Sequence, residues 1–374
     1  MSELKSPLYE WHVNANAKLA DFGGWDMPIE YPSGTRAGSP GGVIAEHTAV
    51  RERVGLFDVS HLGKIEVKGV GALSYINSVL TNDLERIDDG SAQYNLICNE
   101  EGGVIDDLIV YRRSVTDLFL VPNAANCASV LKALQEGAPA GLSITDAHQK
   151  YGVLALQGPL AKDVLASLGI VIDFDYMAFT EGLIPGHENL GPVIICRTGY
   201  TGEYGFELIP LWDKSEALWN VLVDAIAPLD GRVCGLGSRD TLRTEMGYPL
   251  HGHELSTEIS ALEAGASWAV VLAKENFAGR AALLALKEVG ITRQLRAIKS
   301  RDRGIPRAGM DVLLDGKVVG VITSGTFSPS LKTGIGLALI EPGVKVGDHL
   351  EIDVRGRMSE VEVVKAPFVP SHVR

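Results

Sequence analysis

Apolar and polar residues alternate along this chain in short segments that glycine and proline separate. Residues 160–168 place four apolar side chains on one helical stripe, between Pro159 and Gly169. Proline just inside a helix start and glycine just past its end are the favoured arrangement. Comparable stripes predict further helices at 130–134, 217–226 and 281–286.

Other segments have the pattern of strands. Apolar runs at 108–111 and 118–121 surround a polar turn and predict a β-hairpin. Asp315-Gly316 lies between two apolar runs, which is a strong hairpin signal. Many short elements with frequent turns favour an α+β chain over a helical bundle.

The C-terminal part reads as strands joined by turns, with further strand-like segments at 334–340 and 350–354. We predict a larger α+β region over 1–287 and a small all-β domain over 292–374, with a linker near 287–293. By its composition, the stretch 32–42 is predicted to be a surface loop.

The chain has 374 residues, of which 46% are hydrophobic and 22% charged, so it is not a disordered chain. Lys and Arg number 34 against 47 Asp and Glu, a net charge of −13 that argues against nucleic-acid binding. No apolar run reaches the roughly 20 residues of a membrane span, and the first residues lack an apolar export core. We expect a soluble, cytoplasmic protein that does not bind membranes.

The 4 cysteines are far apart in sequence, so we expect buried, reduced thiols rather than disulfides or a zinc motif. His251 and His253 would share a face if they lay on a strand, but two ligands are a weak metal signal, and we predict no metal site. Dinucleotide, P-loop and serine-hydrolase motifs are absent from the sequence.

Three segments carry candidate chemistry. In the first, Asp106 and Asp107 follow a glycine pair and enter an apolar strand. Neighbours on a strand point to opposite faces, so one carboxylate is drawn toward a core or cleft. A turn-and-cap role without chemistry is the alternative interpretation.

The second segment, 197–207, combines glycines with Tyr200, Tyr204, Glu203 and Glu207. A carboxylate just inside the following strand can accept two parallel N–H donors. A plain glycine-rich hairpin explains the composition equally well.

The third segment, 235–253, places Arg239 and Arg243 on one helical face, with Asp240 positioned to pair with Arg243. A solvated ion-pair helix is the alternative.

Taken in order, several motifs resemble the aminomethyltransferase family, the T-proteins of the glycine cleavage system. The match is nearly full length, which is more specific than any single motif. The segments that carry it are Pro7-Leu-Tyr, Phe22-Gly-Gly-Trp, Gly55-Leu-Phe-Asp-Val-Ser-His, Gly102-Gly-Val-Ile-Asp-Asp-Leu-Ile-Val, Leu156-Gln-Gly-Pro, Gly199-Tyr-Thr-Gly-Glu, Gly235-Leu-Gly-Ser-Arg-Asp-Thr-Leu-Arg, Thr323-Ser-Gly-Thr-Phe-Ser-Pro and Pro367-Phe-Val-Pro.

The resemblance implies three lobes around a central folate channel: two intertwined α+β lobes within 1–287, and a barrel-like all-β domain within 292–374. It implies transfer of a one-carbon unit from an aminomethyl-lipoyl group on the H-protein to tetrahydrofolate. The products would be methylene-tetrahydrofolate, ammonia and dihydrolipoyl H-protein. We expect tetrahydrofolate as co-substrate, the lipoylated H-protein as partner, and a monomer.

The resemblance also implies roles for residues of this chain. Asp107 falls where the family has its catalytic carboxylate, Glu207 where it binds the pteridine edge, and Arg239 where an arginine lines the folate site. Four other positions match contacts with the folate: Tyr94, Asn123, Tyr200 and, through its backbone, Val121.

Two other functions fit the same fold: a folate-dependent demethylase and a non-catalytic folate-binding accessory protein. The accessory relatives carry a cysteine in the glycine-rich signature, where this chain has Gly199-Tyr-Thr-Gly-Glu. This chain departs from the family in a longer loop at 33–42 and in having His251 where several relatives have tyrosine. Its net charge of −13 also suits an acidic H-protein poorly unless docking uses a basic patch, which we predict between Arg280 and Arg303.

Overall fold

The computed structural model describes residues 4–33 and 41–374; most of the predicted loop at 32–42 therefore lies outside the described residues. The α-helices are α1 Tyr9–Asn14, α2 Val43–Glu52, α3 Ala72–Val79, α4 Cys127–Glu136, α5 Ala161–Ser167, α6 Ser215–Ile226, α7 Leu236–Met246 and α8 Arg280–Val289.

Within the described residues, the strands form four sheets. Along the chain they are β1 Leu4–Lys5, β2 Lys18–Phe22, β3 Trp25–Glu30, β4 Gly55–Asp58, β5 Ile65–Lys68, β6 Ser91–Cys98, β7 Val104–Ser114, β8 Asp117–Pro122, β9 Ser143–Asp146, β10 Leu154–Gln157, β11 Phe179–Gly182, β12 Val193–Cys196, β13 Gly205–Ile209, β14 Arg232–Cys234, β15 Gln294–Ser300, β16 Asp311–Leu314, β17 Lys317–Ser328, β18 Thr333–Ile340, β19 His349–Val354 and β20 Arg357–Val364.

Three lobes result. The first holds a six-stranded sheet of order β11-β12-β13-β10-β4-β14, beside the small sheet β1-β3-β2. The second holds a five-stranded sheet of order β6-β7-β8-β5-β9, inserted in the chain between β4 and β10. The third is a closed barrel of order β15-β18-β17-β16-β19-β20. The α+β class and the all-β C-terminal barrel expected from the sequence are confirmed.

The predicted helices form where apolar stripes meet these sheets. In α5, Val164 and Leu165 are fully buried, and Gly169 follows the helix at φ 74°. Strand β12 is buried along its whole length, which explains its continuous apolar sequence. The other three predicted stripes lie within α4, α6 and α8. Helix α8 continues to Val289, so it occupies part of the stretch predicted as a linker.

Both predicted hairpins are present. Strands β7 and β8 pair antiparallel, as do β16 and β17. Asp315 and Gly316 have φ values of 50° and 77°, the left-handed region that a two-residue turn requires at both central positions. The turn residues of this hairpin therefore determine where the chain reverses.

A largely buried group of charged and polar residues joins the first lobe to the barrel. We call it the interlobe cluster; its members are Arg51, Glu203, Glu245, Ser328 and Ser330. Arg51 on α2 contacts Glu203 and Glu245, each at 2.9 Å. Glu245 on α7 also accepts hydrogen bonds from Ser328 (2.5 Å) and Ser330 (2.9 Å) of the barrel. These contacts hold α7 against the barrel.

The four cysteines are buried and free, as expected. In the described part of the chain, no helix combines the length and apolar character that a membrane crossing needs.

Candidate active site

Asp106 and Asp107 lie side by side on β7, and one amide group contacts both. The Nδ2 of Asn123, at the end of β8, is 2.9 Å from an oxygen of each carboxylate. Asn126 donates a further hydrogen bond to Asp106 at 2.7 Å. Asp106 is fully buried, whereas Asp107 is partly exposed. Strand alternation predicts the difference in burial, but not that the two carboxylates share a donor.

Both carboxylates are harder to ionise than ordinary aspartates. Burial raises the pKa of Asp106, and the neighbouring charge of Asp107 raises it further. Burial also raises the pKa of Asp107, although hydrogen bonds from Tyr94 and Asn123 and the charge of His251 oppose the rise. The Tyr94 hydroxyl donates to Oδ2 of Asp107 at 3.0 Å. Perturbed carboxylates of this kind are typical of catalytic sites.

Glu207 lies on β13, opposite Ala155 of β10 and Cys196 of β12. Its Oε2 accepts a hydrogen bond from Thr198 at 2.5 Å and a longer one from Tyr111 at 3.5 Å. Among the described residues, none donates a hydrogen bond to Oε1. Glu207 therefore has a held carboxylate with one oxygen available to a ligand.

The glycine-rich segment that precedes Glu207 is a tight hairpin between β12 and β13. A side chain at Gly199 would collide with the amide of buried Gln157, and one at Gly202, where φ is 80°, would collide with Met246 of α7. Gly199 thus allows close packing on β10 and Gly202 on α7, and Tyr200 between them lies beside Arg239 of that helix.

Arg239 extends from α7 toward the same place. Its guanidinium lies 4.8 Å from the ring centre of Tyr200, and its buried Nη1 has no hydrogen-bond partner among the described residues. Burial lowers the pKa of Arg239, and the charge of Glu207 opposes that change. An unpaired buried donor costs about 1–3 kcal/mol, so a ligand acceptor at Nη1 would be stabilising.

Helix α7 is positioned by a buried carboxylate on α2. Glu46 accepts hydrogen bonds from the backbone N–H of Gly235 at 2.9 Å and of Tyr31 at 2.7 Å. Further along α7, Arg243 is 2.7 Å from Asp240, the predicted pair, and 3.1 Å from Glu254. Arg243 is only 2% exposed, so the alternative of a solvated ion-pair helix is wrong.

Tyr200 and Arg239 line a cavity of about 430 Å³ between the first lobe and the barrel. Asp107 lies close enough to Tyr200 for its charge to act on it: burial raises the pKa of Tyr200, and the charge of Asp107 adds to the rise. The other lining residues are Phe22, Ile29, His61, Leu236, Gly237, Asp240, Arg243, Leu250, His253, Arg307, Ala308, Ser324 and Gly325.

The predicted site residues thus form two groups. Asp107 is hydrogen-bonded to Tyr94 and Asn123 in the second lobe. Tyr200 and Arg239 line the cavity, and Glu207 on β13 lies outside the cavity lining but close enough for its charge to act on Arg239. Val121 pairs with Ile109 in the sheet, and its side chain packs into a core cluster. His61 and Phe22 line the cavity although the sequence interpretation gave them no role. Both lie in motifs that carry the family resemblance, so their place in those motifs could have marked them as site residues.

The histidine pair does not share a strand face. His251 donates from Nε2 to the carbonyl of Val104 at 3.0 Å, and His253 donates from Nδ1 to the carbonyl of Thr323 at 2.8 Å. They therefore contact different lobes. Ligand-type atoms of Cys127, Asp146 and His148 lie within 4.8 Å of one another. Burial raises the pKa of the Cys127 thiol to about 11, so the thiol is protonated at neutral pH and is a poor ligand for a cation.

The predicted basic patch is partly neutralised in the structure. Arg293 pairs with Glu263 at 2.8 Å. Arg301 lies 3.3 Å from both Glu360 and Glu362. The patch stays a prediction, and the acidic neighbours reduce the attraction it could exert on an acidic partner.

A lobed α+β scaffold with a C-terminal barrel and an interlobe cavity is the architecture of a known class. The chain matches the family models of the GCVT N-terminal domain over residues 8–274 and of the glycine cleavage T-protein C-terminal barrel domain over 293–370. A crystal structure of glycine cleavage system aminomethyltransferase T from Bartonella henselae superposes with a TM-score of 0.89, at 32% identity and 98% coverage of both chains.

Two curated relatives agree. The aminomethyltransferase of Parafrankia sp. is 54% identical, with both chains covered completely. That of Mycobacterium tuberculosis is 52% identical, over 99% of this chain and 98% of its own. The chain belongs to the aminomethyltransferase family of glycine cleavage T-proteins, and it is a transferase of that system. The family uses tetrahydrofolate as co-substrate.

Proposed function

We propose that this chain moves the one-carbon unit of an aminomethyl group, carried on the lipoyl arm of the H-protein, to tetrahydrofolate. Asp107 is the catalytic carboxylate, and Glu207 and Arg239 bind the folate with Tyr94, Asn123, Tyr200 and the backbone of Val121. The observation that carries this assignment is the convergence of β7, the hairpin before β13, and α7, linked through Tyr200.

The residues around α7 fit a reduced pterin. A pteridine edge presents a 2-amino group beside a ring N–H, a parallel donor pair that an ionised carboxylate accepts. Glu207 offers a free Oε1 beside an Oε2 that Thr198 already holds in place. Arg239 offers the unpartnered Nη1 to a carbonyl or carboxylate oxygen of the ligand. Oε1 of Glu207 and Nη1 of Arg239 can therefore each form a hydrogen bond with a bound folate.

Asp107 is suited to stabilise the positive charge that develops on the substrate during the transfer. Tyr94 and Asn123 each donate one hydrogen bond to it, which orients the carboxylate before any substrate arrives. Positive charge develops on the departing aminomethyl carbon, and a fixed carboxylate in a water-poor site stabilises such charge strongly. The same carboxylate can take or return a proton at the reacting amine. Holding both substrates in one channel supplies the gain from proximity.

The direct experiment measures methylene-tetrahydrofolate and ammonia formed from aminomethylated H-protein and tetrahydrofolate, with and without the chain. We expect both products to appear together, and only with both substrates present. Formation of neither product above the background rate would refute the proposal. The matched variant is Arg239→Lys, which keeps the charge and removes the planar donor fork. It should raise the KM for tetrahydrofolate more than it lowers kcat.

A further inference from the structure

Trp268 differs from the tryptophans of the core. Its side chain is 66% exposed, whereas Trp25 and Trp219 are 1% and 0% exposed. It lies in the short 3₁₀ turn Ser267–Ala269, and its ring stacks on Tyr94 with centroids 5.0 Å apart and planes at 29°. An exposed tryptophan in contact with a residue of the candidate site suggests a role beyond packing.

The segment that carries Trp268 is firmly attached to the second lobe. The Thr81 hydroxyl donates to the carbonyl of Ala269 at 2.8 Å, and the N–H of Val271 donates to the carbonyl of Thr81 at 2.9 Å. The ammonium group of Lys274 donates to the carbonyls of Leu80 and Asn82, both at 2.6 Å. These contacts anchor the backbone segment that carries the indole to the second lobe.

Tyr94 is held at three points. Its backbone carbonyl accepts a hydrogen bond from the amide of Asn82 at 2.9 Å, Trp268 covers its ring, and its hydroxyl donates to Asp107 at 3.0 Å. Burial raises the pKa of Tyr94 far above its ordinary value, so the phenol stays protonated and remains a donor. The ring stack and the hydroxyl hydrogen bond both restrict the side chain, and the ring also packs against a buried apolar cluster that includes Leu255.

We propose that Trp268 is a positioning residue, whose indole holds the Tyr94 ring so that the hydroxyl points at Asp107. Without the stack, the Tyr94 side chain gains freedom and its hydrogen bond to Asp107 is populated less. Asp107 then loses a donor that favours its ionised form, so its pKa rises. The inference rests on the proposed role of Asp107 and adds that a surface side chain controls it.

The first test compares Trp268→Ala with Trp268→Phe. We expect Trp268→Ala to lower kcat about tenfold, as for the loss of one hydrogen bond to a charged group. The acidic limb of the kcat profile should move about one pH unit higher, because Asp107 must be ionised to act. Trp268→Phe keeps an aromatic ring for the stack, so its kcat and its acidic limb should stay close to those of the wild type. Val289→Ala, which shortens an apolar side chain that is 88% exposed on α8, is the surface control.

The second test is a double-mutant cycle. Tyr94→Phe keeps the ring and removes the hydroxyl, so adding Trp268→Ala to it should change kcat and the pH limb little. If the two substitutions lower kcat by factors that multiply, Trp268 acts independently of the Tyr94 hydroxyl, and the proposal is overturned. So would a Trp268→Ala variant whose only change is a lower melting temperature or a higher KM for the H-protein.

Asp107→Asn separates this inference from the proposed function. If Asp107→Asn keeps wild-type kcat, the assignment of the catalytic carboxylate fails, and the positioning role fails with it. If Asp107→Asn loses activity while Trp268→Ala keeps the wild-type kcat and pH limb, only the positioning role fails.

Discussion

Two buried polar regions on either side of α7 use similar residues in opposite ways. In the interlobe cluster, Glu245 forms an ion pair with Arg51 and accepts hydrogen bonds from Ser328 and Ser330. In the candidate active site, Arg239 keeps an unpartnered buried nitrogen, and Glu207 keeps an oxygen to which no described residue donates. Complete pairing stabilises the fold, whereas incomplete pairing leaves capacity for a ligand.

The pKa values follow the same division. Burial opposes ionisation of Glu245, but hydrogen bonds and charges from His47, Ser328 and Arg51 outweigh it and lower its pKa to about 2. Burial raises the pKa of Asp106 and Asp107, and their partners do not reverse the rise. The first region should therefore contribute to stability at neutral pH, and the second should oppose folding.

The largest expected effect is on chemistry. Asp107→Asn should lower kcat by about 10²–10⁴, the usual contribution of a positioned acid–base group, and should change the dissociation constant for tetrahydrofolate little. Steady-state kinetics and titration calorimetry measure the two quantities. Asp106→Asn is the matched control and should lower kcat less, since Asp106 is fully buried. A larger loss of kcat in Asp106→Asn would reverse the assignment of the pair.

Next in size is the loss of an interlobe contact. Glu245→Ala leaves Arg51 buried without one of its carboxylates, so the free energy of unfolding should fall by about 3–5 kcal/mol. Urea unfolding measures it. The control is Glu341→Ala, which removes an exposed pair with Lys317 and should cost less than about 1 kcal/mol. Equal losses in the two variants would contradict the distinction between buried and exposed pairs.

The stabilisation from Glu245 should depend on pH. Its pKa in the folded chain is about 2, below the ordinary 4.5, so its contribution is complete above about pH 5 and is lost as the pH falls toward 2. The difference in urea midpoint between wild type and Glu245→Gln should therefore shrink across this range. A difference that stays constant down to about pH 2 would mean that the Glu245 charge contributes nothing.

The smallest expected effect concerns binding alone. Glu207→Gln replaces a carboxylate by an amide, which offers one acceptor and misplaces a donor against the pteridine edge. Tetrahydrofolate binding should weaken by about 1.5–3 kcal/mol in titration calorimetry. Glu203→Gln, in the interlobe cluster, is the control and should leave the dissociation constant unchanged. An unchanged constant for Glu207→Gln would remove that residue from the site.

Much of the local structure could be predicted from the sequence because short-range physics determines it. The apolar stripe of α5 and the Asp315-Gly316 turn depend on residues a few positions apart, so their patterns predicted them correctly. The family resemblance extended this to the three lobes and the transferase activity. The domain limits and the roles of individual site residues remain predictions.

The tertiary structure alone decided which polar groups are satisfied. Nothing near Arg239 in the sequence shows that its Nη1 lacks a partner while Arg243, one turn later, is fully paired. Likewise, Trp268 lies 174 positions after Tyr94, and only the folding of the second lobe stacks their rings. Local pattern determines helices, strands and turns, whereas the cost of burying a polar group depends on partners that distant parts of the chain supply.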